Sequence, residues 1–237
     1  MELPVLFRDT RFVVLDKPAG LAAHPGPRGG ASVEDCFPAL SRRRDGPWLA
    51  HRLDADTAGC LVVALRKAAL LAAQEVFAAG RAEKVYWAVV CGTPPGESGV
   101  CEQPLLRRSN RAGWRIGVDP AGQRAVSEWR VLGRAQDPAW GELAWLEVRP
   151  HTGRTHQVRV HCAALGCPLL GDALYGTHDY GMGGAPLHLL ARAIRLPLVP
   201  ELAAEAPVPP HMRAALARLG WKEGRPGIGD AGERLPL

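Results

Sequence analysis

This sequence predicts an α+β fold, and three observations carry that reading. Short β-rich runs bounded by turn signals recur along most of the chain. Two segments have helical rather than strand periodicity. No internal repeat or linker-like stretch divides the 237 residues, a length that can bury a real core as one large domain or two small ones. A single domain over residues 1–222 is expected, with 223–237 as a mobile tail because its Gly, Pro and charge follow no pattern.

The elements follow in chain order. Phe12, Val13, Val14 and Leu15 form an apolar run that stops at Asp16-Lys17-Pro18-Ala19-Gly20, so a strand enters a turn there. Residues 25–30 are loop. Leu61, Val62, Val63, Ala64 and Leu65 are continuously apolar, the pattern of a strand buried on both faces. Residues 67–79 predict a helix, with Leu70, Gln74 and Phe77 along one face and Gly80 as its stop. Residues 84–91 alternate: Val85, Trp87 and Val89 share one face, and Tyr86, Ala88 and Val90 the other. The stretch 93–125 is rich in Pro, Gly and Arg and reads as short strands carrying long loops. Further strands are expected at 129–131 and 143–148. His151, Thr152 and Gly153 form a turn, and Thr155 is the expected N-cap of a helix that ends before Gly166. Val158, Cys162 and Leu165 would be its buried stripe.

Composition narrows the function classes. Hydrophobic residues at 47% and charged residues at 22% describe a globular protein rather than a disordered one. The opening MELPVLFRDTRF lacks the basic, apolar and small-residue order of a secretory signal. No apolar run approaches the roughly 18–20 residues of a membrane helix, so a cytoplasmic protein with no membrane partner is expected. Cysteines 36, 60, 91, 101, 162 and 167 include no C-x-x-C pair and are expected as buried thiols. A net charge of +5 fits a polyanionic partner. The basic residues include only four lysines. Arginine offers a planar donor fork that suits phosphate; a GC-rich coding sequence explains the same bias.

Two segments can carry chemistry. In His51-Arg52-Leu53-Asp54-Ala55-Asp56-Thr57-Ala58-Gly59, polar turn-prone residues run directly into the buried strand. A carboxylate there is held by a rigid element, as catalysis requires. Asp54 and Asp56 can share a metal or divide acid and base roles, or Asp56 can accept amides of the turn. The second segment is His151 to His161. Its histidines stand five apart, which turns a helical side chain by about 140° and suits metal binding poorly. Arg154 and Arg159 can contact phosphate, hold a carboxylate ionised, or lie on the surface.

Together these segments resemble the RluA family of pseudouridine synthases. HRLDADTAG resembles that family's HRLD-x-x-TSG motif. GRTHQVRVHCAALGCPLLGDALYG is similar to its GRTHQIRVH and GDxxYG stretch, FVVLDKPAGLAAHPG to its KPxG and HPG signature, and EKVYWAVVCG to K-x-Y-x-A-x-V-x-G. The blocks stand in the family's order, with LHLLARAIRL as a fainter fifth. The resemblance implies a catalytic domain with a mixed, mainly antiparallel sheet, flanking helices and RNA-binding loops. It implies isomerisation of a specific uridine in structured tRNA or rRNA, with no cofactor, no metal and no obligatory protein partner.

By the same resemblance, Asp54 is the catalytic carboxylate and Arg159 the cation that pairs with it. Tyr86 packs against the flipped base, and Arg52 helps to expel and replace the target nucleotide. On periodicity alone Tyr86 is a core residue. Ala58 stands where the family often has serine. The chain starts close to the first block, so a compact member without an N-terminal accessory domain is expected. Arg107, Arg108, Arg111 and Trp114 form either an RNA-gripping loop or a solvated hairpin tip, with Arg154 a further RNA contact. Two alternatives remain. One is a non-catalytic RNA-binding or chaperone protein of the same fold, and the other a metal hydrolase with His151, His156 and His161 as ligands.

Overall fold

The computed structural model describes residues 2–26, 29–42, 45–110, 113–176, 184–223 and 234–236. The first elements are β1 (Glu2–Arg8), β2 (Phe12–Lys17), the short α1 (Phe37–Leu40), β3 (Trp48–Leu49), β4 (Ala58–Ala64) and α2 (Lys67–Ala78). Next come β5 (Glu83–Cys91), β6 (Ser98–Cys101), β7 (Leu105–Asn110), β8 (Gly113–Val118), β9 (Ser127–Asp137), β10 (Gly141–Pro150) and α3 (Gln157–Ala164). The last are β11 (Leu189–Leu196), β12 (Leu202–Glu205), α4 (Pro210–Arg218) and β13 (Arg234–Pro236). Contacts gather them into two compact units. One is Met1–Lys84 with Leu190–Pro209 and Gly224–Leu237, and the other is Val85–Leu189 with Pro210–Glu223.

In the first unit β4 is central. It pairs antiparallel with β2 over Gly59 to Ala64, with β3 at one end and parallel with β11 at the other. All seven of its residues are buried, as an uninterrupted apolar run requires. The order continues from β2 through β1 to β13, all antiparallel, and β12 pairs with β11. Of the expected tail, 224–233 and 237 lie outside the described residues, whereas Arg234–Pro236 is laddered onto β1 and Leu235 is buried.

Helix α2 forms where expected, but its buried stripe is Ala69, Ala73 and Val76. Leu70 and Phe77 are half-buried and Gln74 is exposed. Small side chains let a helix approach its neighbours closely, so the alanines face inward and the larger residues fall along the flank.

In the second unit β10 runs between β5 and β9, and β6 extends β9, all antiparallel. Strands β9 and β10 are longer than their apolar cores suggested, because ladder hydrogen bonds continue through polar alternating residues. Helix α3 lays Val158 and Cys162 on Ala88, Val90, Ala144, Leu146 and Val148, with Leu165 packed against the same cluster. That is the expected stripe. Its N-cap is His156 rather than Thr155, and no side-chain bond caps it. The antiparallel hairpin β7–β8 pairs Arg107 with Ile116, Arg108 with Arg115 and Ser109 with Trp114. It packs on α3 through Leu105, Ile116 and Val160.

All six cysteines are buried free thiols. Burial pushes Cys36, Cys91 and Cys167 up to about 11, so they stay protonated and inert.

Candidate functional site

In the first unit, two basic side chains, a half-buried His51 and a buried Lys17, pin the loop between β3 and β4. On one side Ala50 donates its N–H to the Val62 carbonyl, and His51 Nε2 accepts the Val62 N–H at 3.1 Å. An accepting imidazole must be neutral there. Burial pushes the His51 pKa down to about 4, and nearby Lys84 adds to the effect. The ring also lies 5.2 Å from Phe77 of α2.

On the other side stands Lys17, fully buried at the end of β2. Its ammonium donates to the carbonyls of Pro18, Leu21 and Ala55 at 2.8, 2.7 and 2.7 Å. All three of its protons are thereby used. The Gly20 N–H reaches the same Ala55 carbonyl, and the Thr57 N–H donates to the Asp54 carbonyl. Burial drives the Lys17 pKa down to about 8, opposed by the charges of Asp56, Asp54 and Asp16.

Between these two pins Leu53 is buried, Asp54 half-buried, and Arg52 and Asp56 exposed. The Asp54 carboxylate therefore lies in the field of a buried ammonium on a short, doubly anchored loop. Gly59 closes the segment at φ +109°, where an added Cβ would lie 2.3 Å from the Ala191 carbonyl. Only glycine lets β11 come that close to β4.

In the second unit, the turn before α3 is built around Gln157. Its Oε1 accepts from the Thr152 hydroxyl and the Arg154 N–H, and its Nε2 donates to the Val126 carbonyl and the Ser127 hydroxyl. Exposed Arg154 donates its Nε–H to the Arg124 carbonyl at 3.1 Å. Two residues along α3 from Gln157, Arg159 is only 4% exposed and grips Asp172 with two bonds of 2.8 Å. Asp172, fully buried, also accepts the N–H groups of Leu174 and Tyr175. Burial alone would raise its pKa; the Arg159 guanidinium and those two amides outweigh it and hold Asp172 below the usual carboxylate range. Gly171 precedes it at φ +79°, where a Cβ would lie 2.2 Å from the Pro186 carbonyl.

Tyr86 on β5 is half-buried, opposite Val148 and packed on the same core as α3. The three histidines go to separate partners. Exposed His151 contacts Glu128 at 2.9 Å, and His156 Nδ1 meets the Tyr175 hydroxyl at 2.8 Å. Buried His161 bonds the Ser127 hydroxyl and the Gln103 carbonyl. On the hairpin, Arg107 lies 4.8 Å from the Trp114 ring centre, and Arg108 is paired with Asp119. Arg111 lies outside the described residues.

The expected residues thus fall into two groups, Arg52 and Asp54 in the first unit, and Tyr86, Arg159, Arg154, Arg107, Arg108 and Trp114 in the second. Sequence reasoning missed Lys17 and Asp172. Both stand inside the quoted motif blocks, and Asp172 is a lone charge among Leu169, Leu170, Ala173 and Leu174, the available sign of a buried partner, whereas Lys17 follows Asp16 and gives no such sign.

The profile of the RNA pseudouridylate synthase family matches residues 11–164, from the strand before Lys17 through Asp54, Tyr86 and Arg159 to the end of α3. The chain belongs to this family. Its members are isomerases. Among the relatives of this chain, an uncharacterized RNA pseudouridine synthase of Zymomonas mobilis is 39% identical over 151 residues, covering 63% of this chain and 67% of the relative. The ribosomal large subunit pseudouridine synthase C of Vibrio cholerae is 30% identical over 65% of this chain and 46% of its own length. The mitochondrial pseudouridylate synthase RPUSD4 of Xenopus tropicalis is 32% identical over 63% of this chain and 52% of its own. The match thus spans about half the length of the latter two. The solved structure of human RNA pseudouridylate synthase domain containing 4 superposes with a TM-score of 0.75 at 28% identity, over 93% of this chain and 94% of that one. Among the described residues, no helix is long and apolar enough to cross a membrane.

Proposed function

We propose that this chain isomerises a specific uridine to pseudouridine in structured tRNA or rRNA, with Asp54 as the catalytic carboxylate. The observation that carries this reading is the position of Asp54. It lies within the family-matched segment, on a loop pinned by Lys17 and His51 and partly open to a ligand. In this reaction the bond from the uracil nitrogen to ribose breaks, the base rotates, and the sugar carbon rejoins at carbon. No group is gained or lost, so no redox cofactor or nucleotide enters the balance. A carboxylate beside the sugar either attacks the anomeric carbon or stabilises an oxocarbenium-like centre, as in glycoside cleavage.

In this reading Arg159 supplies positive charge for Asp54, Tyr86 gives a ring against the flipped base, and Arg52 takes part in expelling and replacing the nucleotide. Arg107, Arg108, Arg111, Trp114 and Arg154 contact RNA, with arginines on phosphate. Residues 1–222 act as the catalytic region, without an obligatory protein partner. The cytoplasm is the proposed compartment, which fractionation of tagged protein checks against the mitochondrial location named for some relatives.

The test is site-by-site pseudouridine mapping of tRNA and rRNA in cells lacking the gene. At least one site should vanish, return with the wild type and stay absent with Asp54→Asn. Retention of every site in the deletion strain would count against the reading, and RNA binding without isomerisation would favour a non-catalytic RNA-binding protein.

A further inference from the structure

His156 is the one non-glycine residue at positive φ among the described residues, with φ 55° and ψ 18°. A left-handed backbone is costly for a residue with a Cβ and persists where surrounding contacts impose it. The contacts here are specific. The imidazole ring centre lies 5.1 Å from Trp114 at 33°, and 5.6 Å from Tyr175 nearly edge-on, with Nδ1 2.8 Å from the Tyr175 hydroxyl. That hydroxyl also accepts the Ile116 N–H of β8. The Arg159 guanidinium carbon lies 5.2 Å from the centre of the Tyr175 ring. Asp172 grips Arg159 and caps the Tyr175 amide.

Five side chains from three segments of the chain are therefore in consecutive contact: Arg107, Trp114, His156, Tyr175 and Arg159. One end is solvent-facing, with Trp114 42% exposed, and the other is buried, with Arg159 4% exposed. Three aromatic rings in contact, with a guanidinium against the ring at each end, attract without needing a single rigid geometry, so such a column holds while its outer end meets a ligand.

We infer that His156 is a positioning residue, whose ring joins the hairpin β7–β8 to Tyr175 and thereby sets the orientation of Arg159. The inference rests on the proposed reaction for its consequence. RNA seated on the hairpin meets an Arg159 already aligned, so His156 acts on the chemical step rather than on affinity. A simpler role, shaping the backbone before α3, makes a different prediction. Glycine adopts the left-handed region freely, so His156→Gly keeps the turn and removes only the ring.

The experiment compares wild type, His156→Gly and Tyr175→Phe by single-turnover pseudouridine formation on RNA from deletion cells, by RNA affinity, and by the 15N–1H signal of Arg159 Nε in the free protein. Tyr175→Phe keeps the ring under Arg159 and loses the hydroxyl bonded to His156. His156→Gly should fold, bind RNA as the wild type does, slow the chemical step by roughly tenfold, and shift or broaden the Arg159 signal. Tyr175→Phe should change both readouts in the same direction by less. Wild-type turnover and an unmoved Arg159 signal in His156→Gly would overturn the inference, as would a loss confined to affinity. The Arg159 signal decides the point even if the wild type proves inactive on every RNA, an outcome that would instead overturn the proposed reaction.

Discussion

The two anchored segments solve one problem with opposite chemistry. The Asp54 loop is held through its backbone: the Lys17 ammonium gathers three carbonyls, and a neutral His51 accepts one amide. The α3 segment is held through side chains: a planar guanidinium meets a carboxylate in its plane and a tyrosine ring beside it. A compact ammonium with three rotatable donors suits carbonyls converging from different directions, whereas a fork suits a carboxylate. The difference teaches where each segment is sensitive. The first loses loop geometry when a backbone partner goes, and the second is left with an unpaired buried charge.

The largest effect should follow from breaking the second segment. Asp172→Asn removes one partner of a buried ion pair and should destabilise the protein by roughly 3–5 kcal/mol in denaturant unfolding. The same carboxylate gives a pH signature. Its folded pKa is depressed, so its stabilisation is present above the usual value of 3.8 and is lost as pH falls through the lower folded value. The wild type should lose stability in that acid window more steeply than Asp172→Asn.

Breaking the first segment should cost less. In Lys17→Met the Ala55 carbonyl keeps the Gly20 N–H and the Pro18 carbonyl is only part-buried, so the loss falls on the buried Leu21 carbonyl, roughly 1–3 kcal/mol. His51 gives the matching pH test. Its folded pKa of about 4 lies below the usual 6.5, so the unfolded chain binds the proton first, and stability falls as pH drops between those values. His51→Gln should flatten that part of the urea-midpoint profile; an unchanged slope would break the assignment of a neutral acceptor. The smallest effect belongs to the hairpin, where Arg115 faces Arg108 across the ladder and Arg108 is already paired with Asp119. Arg115→Ala should weaken RNA binding evenly across sequences and reduce the salt slope by about one unit.

Much of this organisation was legible in the sequence, for definable reasons. Strands β2, β4 and β5 are apolar or alternating, and the α2 and α3 periods are clear. The buried stripe of α3 was legible and that of α2 was not, because size did not decide which face of α2 turned inward. The strained cap at His156 was invisible, since Thr155 is the better N-cap by residue type and the ring contacts come from hairpin and turn residues far along the chain. The polar turn running into a buried strand made Asp54 and Asp56 candidates, and the family resemblance singled out Asp54. Arg159 was singled out only by the family resemblance, and its partner Asp172 not at all, because residue type does not reveal which arginine is 4% exposed or which carboxylate it meets.

The proposal that most needs testing is that Asp54, on the loop pinned by Lys17 and His51, performs the chemistry. The most direct measurement incubates purified wild type and Asp54→Asn with RNA from cells lacking the gene, and scores pseudouridine and binding in parallel. The account predicts conversion by the wild type, and by Asp54→Asn wild-type affinity with no pseudouridine formed. Pseudouridine formed by Asp54→Asn at the wild-type rate would contradict it.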